Sequence, residues 1–357
     1  MSANVLSPTA HRSRLAALGA VVAILLSACG SSASPIPSTP PDATGSLLPP
    51  ATATVGPSVA SVAPPSVVPS ASFPLTLTDD EGTAVQLAAQ PHKIVSLTPA
   101  ETEVLYAIGA GDEVVGKVED VAKYPPAADK VPVVATFSGV DVEKIVGLGT
   151  DLVIAGGNGG TPPDAIAKLR SLKIPVLVVY APDVDTVYHD IQLTGDAVGE
   201  PANAATVVSG IKEQFAAVAD ATAAAAKPRV FYETGDQPAI YGIADDSVYA
   251  QMIALAGGTP VTTGSATNWE MSIEKLVAAD PELIILGDSA YGVTPDAVAK
   301  RAGWAGLTAV KDHAITGIDD IVVTRPGPRL GQGLQLLVGA IHPELHLSFP
   351  SPAASGG

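Results

Sequence analysis

An α/β fold of two Rossmann-like lobes with parallel sheets, joined by one long backbone helix, is the class predicted by this 357-residue sequence. Three observations predict it. From residue 73 onward, short branched apolar runs alternate with amphipathic segments, the pattern of buried parallel strands separated by helices. Residues 201–226, "PANAATVVSGIKEQFAAVADATAAAA", form a long helix-favouring run that opens on Pro201 and has no glycine after Gly210. Lastly, "VEKIVGLGTDLVIAGG" at 142–157 returns as "IEKLVAADPELIILGD" at 273–288. One lobe writes the other's sentence again.

Composition supports two real cores. Hydrophobic residues make up 47% and charged residues 15%, which excludes disorder throughout. Aromatics are only 4%, so the cores rest on Ala, Val, Ile and Leu, and an aromatic in a loop is unusually informative. The formal net charge is -17, yet residues 1–72 carry only Arg12, Arg14 and Asp42. The acidic excess therefore sits on the folded part, where it opposes nucleic acid and anionic lipid surfaces. A neutral or cationic ligand, or a basic docking surface, remains compatible.

The elements follow in order. Residues 1–28 read as a secretory signal: Arg12 and Arg14 lead into an apolar stretch too short to span a membrane. Leu26-Ser27-Ala28-Cys29 closes it in a pattern similar to the bacterial lipobox, which makes the single cysteine, Cys29, the expected lipidation site. Residues 29–72 are rich in Ser, Pro and Ala and form an extended disordered tether. Residues 73–183 form the N-terminal lobe, with strands at "KIVSL", "DLVIA" and "PVLVVY". Residues 184–226 link the lobes and contain the long helix. Residues 227–347 form the C-terminal lobe, with strands at "RVFYE", "ELIIL" and "AITGI", and residues 348–357 form a disordered tail.

In each copy of the repeated sentence a short helix leads into a strand that ends in a glycine-containing loop, "AGGNGG" or "LGDSAYG". Ligands of parallel α/β sheets bind beyond the carboxyl ends of the strands, so the two loops point at opposite walls of a cleft. Glu143 and Glu274 open the two helices at its rim. Asp141 and Ser272 are the matching N-caps, and an acid in the first turn gains about 0.3–1 kcal/mol from the helix dipole. The matched positions support a second reading, paired carboxylates that engage basic residues of a two-fold symmetric partner.

"KIVSLTPAETEVLYAIGAGDEVVG", "YPPAADKVPVV", "VEKIVGLGTDLVIAGG", "ADPELIIL" and "RPGPRL...AIHPEL" carry a resemblance that extends from residue 75 to residue 345. This set resembles the helical-backbone solute-binding lipoproteins of ABC importers for ferric siderophores, haem and cobalamin. The resemblance implies two α/β lobes joined by one long helix. It also implies that Glu143 and Glu274 dock into arginine pockets on the two copies of the permease.

The cleft residues are expected as follows. Thr98 and Pro99 open a helix whose first amides face the cleft, and the resemblance places this turn in the ligand site. Glu101 reads as a first-turn helix acid rather than a ligand contact. Phe137, in a loop of small polar residues, is either an anchor or a stacking surface for a flat ligand; cobalamin-binding relatives carry a tryptophan there. Trp269 precedes the second copy much as Phe137 precedes the first, and the repeat pairs them across the cleft. Gly156, Gly157 and Asn158 permit close backbone approach, without the Lys-Ser or Lys-Thr of a phosphate loop. Asp288 and Tyr291 end the equivalent strand of the other lobe. Tyr241 and Arg325 are further candidates, and Arg329 is expected to cap or pair locally.

No cofactor and no protein-borne metal site is expected. His92, His189, His313, His342 and His346 are scattered, without zinc-site spacing, and any iron or cobalt would arrive inside its chelator. The function expected is a monomeric, lipid-anchored, extracytoplasmic receptor that delivers a cobalamin-like chelate or a ferric siderophore to an ABC permease dimer. Haem ranks lower because no His and Tyr stand out as an axial pair. A cell-surface ligand-sensing or adhesive lipoprotein would share the fold without a transport role. A Gly-Asp-Ser hydrolase is the remote alternative: it needs a positioned His with a supporting acid, and neither Asp-x-x-His nor Gly-x-Ser-x-Gly is present.

Overall fold

The computed structural model describes residues 72–349. The signal, Cys29, nearly all of the tether and the end of the tail lie outside the described residues. The described chain opens with an antiparallel hairpin of β1 (Leu75–Thr78) and β2 (Ala84–Leu87), an element the sequence reading did not assign. The first lobe continues through β3 (Ile94–Ser96), α1 (Pro99–Ala107), β4 (Val114–Val118), β5 (Val133–Thr136), β6 (Gly139–Val140), α2 (Val142–Gly147), β7 (Leu152–Gly156), α3 (Pro163–Ser171) and β8 (Val176–Val179). Its six-stranded sheet runs β6-β5-β4-β3-β7-β8 and is parallel except for β6, which folds back on β5 as an antiparallel edge. Every residue of β3, β7 and β8 is buried, because helices or the hairpin cover both faces of these strands.

Two helices follow. Helix α4 (Val184–Val198) is capped by the Asp183 carboxylate, which accepts from Thr186 N–H, and ends at Gly199 with a left-handed φ of 85°. Pro201 then starts α5 (Pro201–Thr222), so the linking segment is a helical hairpin rather than one strut. At 22 residues α5 spans about 33 Å at the usual rise. Near its start Asn203 donates to the Ile108 carbonyl of the first lobe. Its end packs against the second lobe, where a Cβ at Gly257 would lie 3.1 Å from Thr222. Ile211, Phe215 and Val218 form its buried stripe, each contributing roughly 1.5–3 kcal/mol of burial.

The second lobe contains β9 (Arg229–Glu233), α6 (Val248–Leu255), β10 (Thr259–Pro260), α7 (Ile273–Ala279), β11 (Leu283–Leu286), α8 (Pro295–Val298), α9 (Thr308–Lys311), β12 (Ile315–Gly317), α10 (Asp320–Thr324) and α11 (Leu330–Ile341). Its four-stranded sheet is wholly parallel and runs β10-β9-β11-β12. The inner strands of the first lobe run β4-β3-β7-β8. Numbered by appearance, both lobes share the order 2-1-3-4, and the repeated sentence supplies α2-β7 in one and α7-β11 in the other. One apolar cluster runs from β3 and β7 through α4, α5 and α11 to β9 and β11, while separate clusters fill the far face of each sheet. The lobes thus share a core along the helical side.

Candidate functional site

In the 2-1-3-4 order, the strand order reverses between the first and third strands, and an open α/β sheet binds its ligand beyond that point. In the first lobe this point lies between the ends of β3 and β7. Thr98 caps α1 there by accepting from Glu101 N–H at 3.1 Å, and Pro99 occupies the first helical position. Gly156 and Gly157 close the loop opposite: a Cβ on Gly156 would lie 2.7 Å from the Thr98 methyl, and one on Gly157 would lie 3.0 Å from Tyr180. The protein's own packing therefore requires both glycines. Asn158 follows in the left-handed region, at φ 49°.

These residues line one wall of a cavity of about 640 Å³ between the lobes, and Trp269, Tyr291 and Arg325 line it from the second lobe. The structure thus brings together Thr98, Pro99, Gly157, Asn158, Trp269, Tyr291 and Arg325 of the residues expected there. It places three others elsewhere. Phe137 sits at the tip of the β5–β6 turn with 97% of its surface exposed, and is not among the residues that line the cavity. The matching loops differ because the first lobe has an antiparallel edge hairpin that the second lacks. Tyr241 is held in backbone bridges to Gly235 and Glu270, away from the cavity. Asp288 is buried beneath the surface beside Glu233.

Sequence reasoning missed several polar and aromatic lining groups, Asp320 at the start of α10 among them. Tyr180 follows the last residue of β8, where a strand's carboxyl end could have flagged it. Tyr249, on α6, donates to the Thr324 carbonyl and meets the Trp269 ring edge-on, with centroids 5.6 Å apart. Glu101 is buried, accepts from the Thr194 hydroxyl at 2.8 Å and lines the cavity, so it is more than a helix-dipole acid. Asp190, from α4, lies in the same wall. Burial, reinforced by the Asp80 charge and opposed by the Thr194 hydrogen bond, pushes the Glu101 carboxyl up to about 7. Burial and then the charges of Asp80 and Glu101 push Asp190 up to about 9.

Among the described residues Arg325 is the one basic residue lining the cavity, and it is already engaged. It donates to Glu103 at 2.7 Å and to both oxygens of Asp120 at 3.0 and 2.8 Å. Burial works against ionisation of Asp120, but hydrogen bonds from Arg325 and from the Ala122 backbone hold its carboxyl below the usual range. Arg329 does not pair locally: it grips Glu103 of the first lobe, while its guanidinium lies 3.9 Å from the Tyr124 ring centre. The matching pocket of the second lobe is filled by an acid cluster. Arg301 pairs Glu233 and Asp236, and burial raises Glu233 to about 7 and raises Asp288 as well. Neither oxygen of Asp288 has a hydrogen-bond partner among the described residues.

At the rim, Asp141 and Ser272 cap α2 and α7 by accepting from Lys144 and Lys275 N–H, and Glu143 and Glu274 are both exposed. Each helix runs into its strand's amino end, so its own N-terminus lies toward the carboxyl edge that bears the cavity. Among the described residues no helix is long and apolar enough to cross a membrane.

Comparison with known proteins supplies the family. The chain is 34% identical, over 76% of its length and 87% of the relative's, to the uncharacterized ABC transporter substrate-binding lipoprotein YvrC of Bacillus subtilis. The fold superposes on the crystal structure of the periplasmic vitamin B12 binding protein BtuF of Vibrio cholerae with a TM-score of 0.61 and 26% identity, covering 70% of this chain and 96% of that one. It superposes on the periplasmic heme-binding protein RhuT of Roseiflexus sp. RS-1 with a TM-score of 0.62 and 26% identity, covering 71% and 98%. The profile described as "Periplasmic binding protein" matches residues 94–322. Two equivalent lobes facing a cavity, with this breadth of similarity, establish that the chain belongs to the periplasmic binding protein family, the solute-binding components of ABC importers.

Proposed function

We propose that this protein captures a corrinoid of the cobalamin class in the interlobe cavity and delivers it to an ABC permease. The observation that carries the reading is the lining of the cavity: aromatic walls, buried carboxyls and, among the described residues, no free cation. A ferric triscatecholate or the two propionates of haem would need guanidinium or ammonium partners, and Arg325, the only base lining the cavity among the described residues, is saturated by Glu103 and Asp120. A corrin carries carboxamides whose N–H groups suit Glu101, Asp190 and Asp320, and a broad apolar face that suits Tyr180, Tyr249 and Trp269. The similarity to the vitamin B12 binding protein supports the same reading.

Delivery uses Glu143 and Glu274, whose equivalent places in the two lobes suit a two-fold symmetric permease. Cys29 carries the lipid anchor that holds the receptor at the extracytoplasmic face. No catalytic role is proposed, and Ser289 of the Gly-Asp-Ser run gives its proton to the Ile318 carbonyl.

The chain has only two tryptophans, Trp269 in the cavity and Trp304 buried in the core of the second lobe. Cyanocobalamin is expected to quench fluorescence in the wild type and not in Trp269→Phe, and Trp269→Ala is expected to weaken binding about tenfold or more. Equal quenching in wild type and Trp269→Phe would place the ligand elsewhere.

A further inference from the structure

We propose that Asp80, His189 and Asp190 bind one borderline divalent metal ion of the Zn2+, Co2+ or Ni2+ class, where the β1–β2 turn meets α4 beside the cavity. An imidazole nitrogen and two carboxylate oxygens from these residues lie within 4.8 Å of one another. His189 Nε2 is 3.9 Å from Asp80 Oδ1.

Two features distinguish this group from an ordinary solvated acid cluster. The first is Asp190. The residue is only 6% exposed, and its Oδ1 has no hydrogen-bond partner among the described residues. A buried carboxyl oxygen without a partner is costly, and a cation that displaces the acid's proton is one way to meet that cost.

The second feature is the way Asp80 is held. Its backbone N–H donates to the Val178 carbonyl at 3.1 Å, and its Oδ2 accepts from Tyr180 N–H at 2.6 Å. Oδ2 is thereby fixed, Oδ1 is left toward His189, and the Asp80 side chain is only 15% exposed. Such outer hydrogen bonds are the kind that orient metal ligands. His189, at 59% exposure, is the adjustable partner. Metal bonds of 2.0–2.2 Å in a tetrahedron put donor atoms about 3.3 Å apart, a small closure that the exposed ring can supply.

One imidazole and two carboxylates favour a borderline ion, whereas Ca2+ and Mg2+ prefer all-oxygen sites. Three protein ligands leave a fourth position for water or for a donor atom of whatever occupies the cavity that Asp190 lines. The sequence concealed the site because its two α4 residues, His189 and Asp190, are adjacent and lack metal-motif spacing. Asp80 arrives from a turn far earlier in the chain.

The site shares Asp190 with the cavity assigned to the corrinoid, and its test therefore uses metal salts alone, so that failure of either reading shows separately. The purified protein, stripped with chelator and desalted, is titrated calorimetrically with ZnCl2, CoCl2, NiCl2 and CaCl2, and retained metal is counted by mass spectrometry. The proposal expects one transition ion per chain, bound in preference to Ca2+. Asp190→Asn and His189→Ala should each weaken it at least about tenfold, while His313→Ala and His346→Ala leave it unchanged. His189 is exposed, so its replacement tests the site without threatening the fold, and near-UV circular dichroism verifies Asp190→Asn. Absence of a stoichiometric ion, preference for Ca2+, or wild-type affinity in both variants would overturn the proposal.

Discussion

Arg329 of the second lobe donates to both carboxylate oxygens of Glu103 in the first, at 2.8 and 2.7 Å, and it does so across 226 residues of sequence. Arg325 joins the same carboxylate and Asp120, so two guanidiniums and two carboxylates form a buried, charge-balanced bridge between the lobes. A charge left alone in such a place is expensive, whereas replacing a pair together is tolerated.

Removing one partner is therefore expected to cost far more than removing both. Arg329→Met should destabilise the protein by about 3–5 kcal/mol in urea unfolding, and Glu103→Met with Arg329→Met should recover much of that loss. Additive costs would show that the bridge is no coupled unit. Because α5 and this bridge both tie the lobes, ligand-free and ligand-bound crystal forms should differ by a small rotation. A rotation of tens of degrees would contradict that.

Stability should also fall as pH rises from about 4.5 to about 7. Glu101 and Glu233 are raised by burial from 4.5 to about 7. Across that interval the unfolded chain loses protons that the folded chain keeps, so the slope of stability against pH is negative. Asp190 extends the trend toward about 9 in metal-free protein. The depressed groups Asp120, Asp183 and Asp280 act below the ordinary aspartate value of 3.8, outside the window. The melting temperature in chelator should be higher at pH 5 than at pH 8, and Glu101→Gln or Glu233→Gln should flatten the difference. A rising profile would contradict this account.

Capping and docking separate by substitution. Asp141→Ala and Ser272→Ala should each cost about 1 kcal/mol of stability, because each removes the acceptor that satisfies a helix N-terminal amide. Glu143→Ala with Glu274→Ala should change stability by about 0.5 kcal/mol or less per site. The same pair should weaken association with permease-bearing vesicles while leaving ligand affinity intact. Undiminished association would reduce both glutamates to helix-dipole acids.

The architecture was legible because its signals are local. Branched apolar runs marked β3, β7, β8, β9, β11 and β12, and the repeated sentence marked the equivalent third strand of each lobe. The site was legible where it sits on strand ends, as at Thr98, Gly157 and Trp269. Groups brought together by long-range packing were not. Nothing near Arg329 announces Glu103, and nothing near Asp190 announces Asp80. Phe137 is a related case: composition makes a loop aromatic conspicuous, and the β5–β6 pairing puts it at an exposed turn outside the cavity lining.

Calorimetric titration of the purified protein with cyanocobalamin, a cationic ferric hydroxamate, a ferric triscatecholate and haem shows which chelate the cavity takes. The account predicts cyanocobalamin binding with a Kd below about 1 μM, and at least about a hundredfold weaker binding of the triscatecholate and haem. Tight binding of either anionic ligand, with cyanocobalamin inert, would contradict it.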